Sequence, residues 1–132
     1  MSLLVLILVT GLIFLIADAV MLTTVIKPLF ERHIGDTLLG GIRPVPAALF
    51  YLLYMAGVTW FAGWPALRDG TPHTALLNGA ILGLVAYGTY ELTSWTVMRE
   101  WHPSMVVVDM AWGATLAAIS AWGGVMAARA LG

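Results

Sequence analysis

Cysteine is absent from all 132 residues. That excludes disulfides, thiolate metal sites, iron–sulfur clusters and a thiol nucleophile, and leaves the redox compartment open. Charge is scarce too: Asp, Glu, Lys and Arg make up 10% of the chain, with a formal net charge of -1. So few cations leave no basic surface for nucleic acid. No nucleotide or phosphate fingerprint and no Ser/His/Asp arrangement is present. HxxxH and ExxH spacings are missing as well. A metal set from Glu91, Asp109 and His102 can be imagined, but carboxylates favour hard cations without specifying one, so no metal and no cofactor is expected.

What is present is apolar. Hydrophobic residues make up 61% of the sequence, and the mean hydropathy is +0.93. A soluble domain of this size, read here as single over 1–132, could not hide so much apolar surface, so lipid must be its solvent. Four apolar stretches occur, at about 2–26, 44–64, 74–98 and 103–128. Each supplies the roughly 20 residues that a helix rising about 1.5 Å per residue needs to cross the hydrocarbon. Continuous runs favour helices, and four strands cannot close a barrel. The expected fold is an all-α membrane protein, a bundle of four transmembrane helices in two helical hairpins. The first stretch has no basic residue before it and is too long for a cleaved secretory signal, so it reads as a retained helix.

The prolines punctuate these stretches. Lys27-Pro28 is expected to end the first span, and Arg43-Pro44 to open the second. Pro65, Gly70 and Pro72 surround the second connection, and His102-Pro103 opens the fourth span. Between Lys27 and Arg43, Phe30, Ile34 and Leu38 recur every fourth residue, opposite Glu31, Arg32, His33 and Asp36. That spacing suits a short interfacial amphipathic helix ended by Gly40-Gly41, with an ordered loop as the alternative. Lys27, Arg32, Arg43 and Arg99 fall on one side of the bundle, Arg68 and Arg129 on the other. The excess of cations places the first and third connections in the cytoplasm and both termini outside. Trp60, Trp64, Trp95 and Trp101 fit the aromatic belts where membrane meets water, whereas Trp112 falls one turn below Asp109.

Three of the seven acidic residues fall inside spans: Asp18, Glu91 and Asp109. Counting from Lys27, Arg99 and Pro103 at about 1.5 Å per residue gives depths of roughly 13, 12 and 9 Å from the same face. Gly79, Gly83, Tyr87 and Glu91 form one stripe of small residues and an acid. Asp109, Gly113, Ala117, Ala121 and Gly124 form another. Small residues let helix backbones approach, so both acids should face the bundle interior. An ionised carboxylate at that depth costs at least about 2.5–3.5 kcal/mol and needs a cation, donors or a proton. Three such groups close together cannot easily all ionise. They either hold the helices in register, bonded to Tyr, Trp, Arg43 or Arg99, or they work. Working readings are a ligand-binding pocket of Asp18, Tyr51, Tyr87, Glu91, Asp109 and Trp112 and acid–base catalysis on a hydrophobic substrate. A structural or accessory role is a third reading. Expected partners are membrane lipids, a small hydrophobic ligand, and a second copy or another membrane protein.

Over nearly its whole length the chain resembles the bacterial membrane-protein family known as domain of unknown function 2177. The matching segments include Asp18, Lys27-Pro28-Leu29-Phe30, Pro46-Ala47-Ala48-Leu49-Phe50-Tyr51 and Pro65-Ala66-Leu67. The more specific ones are Tyr87-Gly88-Thr89-Tyr90-Glu91-Leu92-Thr93 and Val108-Asp109-Met110-Ala111-Trp112-Gly113. The family pattern carries aspartate and asparagine where this chain has Glu91 and Ser94, which shifts the carboxyl by about one methylene. The resemblance implies a four-helix inner-membrane protein and no established activity. It directs attention to Asp18, Tyr51, Glu91, Asp109 and Trp112.

Overall fold

A computed structural model describes residues 2–38 and 43–131. Among them every regular element is helical, and four helices are long and apolar enough to cross a membrane. The protein is a four-helix membrane protein. The helical segments are α1 (Ser2–Met21), α2 (Lys27–Ile34), α3 (Pro44–Val58), α4 (Trp64–Asp69), α5 (Pro72–Val97) and α6 (Pro103–Leu131).

Two of the expected helix ends are not ends. The first helix runs on through Lys27-Pro28 to Thr37, and the second runs through Pro65 to Asp69. In each, a five-residue π-helical segment, Leu22–Ile26 or Thr59–Gly63, closes one residue before the residue–proline pair. A helical proline lacks an N–H and its ring crowds the carbonyl four residues back. The wider π turn takes up that misfit, so the helix runs through the proline without stopping. The carbonyl crowded by Pro65 is that of Phe61. It accepts a 3.4 Å hydrogen bond from Asn78 Nδ2 of α5, which restores a partner to it. The true stop is Gly70, whose φ of 70° is the left-handed cap that favours glycine. Thr71 N then donates to Ala66 O at 2.9 Å.

The segment after the first span is therefore the short helix α2, and it continues the first rod. Its apolar face is covered by protein: Phe30 and Ile34 are buried with Trp101, Met105 and Val106 at the start of α6. Phe30 meets Trp101 edge to face at 5.5 Å. Leu38, the third residue of that stripe, stays exposed, and the Gly40-Gly41 stop lies outside the described residues.

α6 is the centre of the bundle, with α5 along one side and α1 along another. The α5–α6 contact is backbone on backbone. A Cβ on Gly79 would lie 2.8 Å from the Ala117 carbonyl oxygen, and one on Gly83 would strike the Gly113 carbonyl. These glycines pack inside the chain, which leaves no Gly79–Gly83 face for a partner. The second rod behaves differently. It touches α5 mainly through its π segment, while Val45, Leu49, Leu52 and Leu53 of α3 are exposed. Within the first hairpin the two rods diverge, and a lateral groove opens between them.

Candidate functional site

The groove has a volume of about 1060 Å³. Leu22 and Phe50 stand at its outer edge, each about two-fifths or more exposed. Lys27 and Arg43 line one end, where the first connection begins and finishes, and Asp18, Tyr87 and Asp109 line its inner part. Phe30, Phe50 and Tyr90 join Tyr87 in a wall otherwise formed mainly by aliphatic side chains such as Leu22, Ile26 and Leu38.

Asp18 is the best-satisfied acid. Its Oδ2 accepts a 2.7 Å hydrogen bond from Tyr51 OH of α3, and its Oδ1 accepts one of 3.2 Å from Trp112 Nε1 of α6. One side chain therefore ties three helices together at one level. This is the register role that intramembrane acids can play, and it stands beside the groove.

Glu91 and Asp109 form a separate pair. The two stripes meet face to face at the α5–α6 contact, which brings the two carboxyl groups together. Glu91 is wholly buried and Asp109 is 7% exposed, yet Asp109 still lines the groove. Glu91 Oε1 accepts a 3.0 Å bond from Trp101 Nε1, and no donor group reaches its Oε2. Asp109 is thus the layer between the groove and a fully enclosed acid.

Tyr87 stands between the two groups of acids, with its ring flat over Gly113. A Cβ at Gly113 would lie 2.6 Å from Tyr87 Cδ1, so glycine is what lets the ring lie there. The phenol of Tyr54 is buried near Asp18 with no hydrogen-bond partner.

Of the six residues singled out in the sequence, Asp18, Tyr51 and Trp112 are joined by hydrogen bonds, Glu91 pairs with Asp109, and Tyr87 lies between these groups. The groove reaches Asp18, Tyr87 and Asp109 directly. Tyr51, Glu91 and Trp112 stand behind it. Sequence reasoning missed Trp101, which reads as belt because it lies beside a helix end, whereas it is 6% exposed and serves a buried acid. Arg43 and Arg99 form no ion pair with the acids; among the described residues the ion pairs are Lys27–Glu31 and Arg68–Asp69. Thr93 is exposed and bonds the Thr89 carbonyl of its own helix. The imagined metal set is not assembled: the ring of His102 stacks on His33 at 4.2 Å, with its Nδ1 2.7 Å from Ser104 Oγ.

The family model described as "Predicted membrane protein (DUF2177)" matches residues 3–126. The chain belongs to this family. No curated protein and no solved structure matches it. The family description adds no chemistry to the groove, whose reading rests on its own residues.

Proposed function

We propose that this member of the family resides in the bacterial inner membrane and binds a small hydrophobic or lipid-derived ligand in the lateral groove. Both termini lie on the outer side, and the Lys27/Arg43 end of the groove lies at the cytoplasmic surface, as the distribution of cations favours. The observation that carries the reading is a groove of about 1060 Å³, walled mainly by aliphatic and aromatic side chains, that is also lined by the carboxyl of Asp109. Ligand sites combine such an apolar wall with a few convergent polar groups. Protonation of the Glu91–Asp109 pair tunes occupancy in this reading, because it sets the charge that the ligand meets.

Ala86 lines the groove as well, so Ala86→Trp fills the space without touching an acid. Native mass spectrometry of protein released from lipid nanodiscs should show one adduct that survives activation strong enough to strip bulk lipid. Ala86→Trp should lose it. The same featureless spread of lipids on both proteins would sink the proposal.

A second reading is an acid–base enzyme embedded in the membrane and acting on a hydrophobic substrate. It is favoured by the enclosed Glu91 Oε2, which is free to trade a proton with Asp109 at the groove wall. Consumption of the retained molecule by wild type, together with its unaltered accumulation on Asp109→Asn, would select this reading over binding alone.

A further inference from the structure

Resting on the groove as a binding site, we infer that its ligand is a hydrophobic organic cation, an amine or quaternary onium group, whose charge lies against Asp109. The charges around the groove are unbalanced at its inner end. Asp109 lines the wall at 7% exposure, and no basic side chain makes an ion pair with it among the described residues. The groups that face it are Glu91, Tyr87 and Tyr90 on α5 and Asp18 on α1. All of these are acids or phenols. Behind it, Glu91 Oε2 is fully enclosed without a donor. Asp18 already receives two donors, whereas no Tyr, Trp or other donor side chain bonds Asp109 among the described residues.

The rings make the same choice of charge. Phe30, Phe50, Tyr87 and Tyr90 line the groove, and aromatic faces attract cations through their quadrupoles. The cations at the other end do not cancel this preference. Lys27 is 61% exposed and pairs with Glu31 at 3.9 Å. Arg43, the other cation of that end, is exposed.

Charge balance then dictates an exchange. In the empty groove Asp109, buried and without a counter-ion, carries its proton. When a cation enters, that O–H bond breaks, the proton leaves to solvent, and the Asp109 carboxylate faces the cation. Binding therefore weakens as pH falls.

Tetraphenylphosphonium and tetraphenylborate share one shape and carry opposite charges, so they isolate the sign of the site. Equilibrium binding to the protein in phosphatidylcholine nanodiscs, with empty discs subtracted, should give a saturable site for the phosphonium ion. Its affinity should fall at least about tenfold from pH 8.5 to pH 5.5, with release of about one proton per ion bound. Asp109→Asn should lose the phosphonium site and keep the lipid adduct of the groove, and Asp109→Glu should restore a pH-dependent site. Equal binding of both ions, preference for the borate, or pH-independent binding by wild type would overturn the inference, and wild type alone decides this if Asp109→Asn fails to fold. Adducts or borate binding without phosphonium binding would leave the groove standing and remove the cation. Loss of all three would remove both.

Discussion

The bonds that hold Asp18 and the glycines of the α5–α6 contact do different work, and single substitutions separate them. Tyr51→Phe takes one donor from Asp18 and leaves the ring, so it should cost about 1–2 kcal/mol of stability, as should Trp112→Phe. Because both serve one carboxyl, the double variant should depart from the sum of the two. Urea unfolding in mixed micelles reads all three, and a strictly additive double variant would argue against a shared partner. At the helix contact, Gly83→Ala forces a methyl group into the Gly113 carbonyl. The backbones must separate, and the loss should exceed about 3 kcal/mol. Gly57, also helical, faces open space: a methyl group added there would meet nothing within 4 Å. Gly57→Ala should therefore be neutral or stabilise by up to about 1 kcal/mol. A similar loss for both variants would show that the backbone contact at Gly83 does not set the cost.

At the scale of elements, α2 is held to α6 partly by a pair of imidazoles. His33 stacks on His102 at 4.2 Å, and its Nε2 lies 3.4 Å from Ser104 Oγ. In the folded chain His33 titrates below its ordinary 6.5: loss of water around the ring comes first, then the charges of His102 and Arg32. The fold thus prefers the neutral ring. Its contribution is whole above pH 6.5 and is lost as pH falls through that value toward the lower folded one. Thermal unfolding should show a midpoint that drops between pH 7.5 and pH 5.5, and His33→Gln should flatten that drop. An unchanged slope in His33→Gln would locate the pH dependence elsewhere.

The elements also mark where sequence reading stops. The spans and the stripes were legible because helical rise and periodicity are regular, and Gly79, Gly83, Glu91, Asp109 and Gly113 are buried where the stripes meet. The run of helix through Pro28 and Pro65 was not legible, since proline after a charged or bulky residue ordinarily reads as a stop. Its tolerance depends on a π turn and, for Pro65, on Asn78 from another helix. Trp101 was hidden for a related reason: its partner Glu91 is ten positions away across a helix end, a contact that no period describes.

For the whole molecule, depth arithmetic placed the three acids at one level, but the divergence of the first two rods has no counterpart in hydropathy. It makes the protein one-sided, with acids, groove and most cations near one end, so orientation decides which compartment the Lys27/Arg43 end of the groove faces. The native chain has no cysteine, so a single introduced thiol reports its own side without background. Asp69 and Glu100 are exposed in the second and third connections, at opposite ends of the bundle. With an impermeant maleimide on intact cells, Asp69→Cys should label and Glu100→Cys should label only after lysis. The reverse pattern would turn the groove end outward, against the four-to-two distribution of cations. It would then also predict that the proton displaced by a bound cation appears outside the cell, so thiol labelling and proton release must agree on the same face.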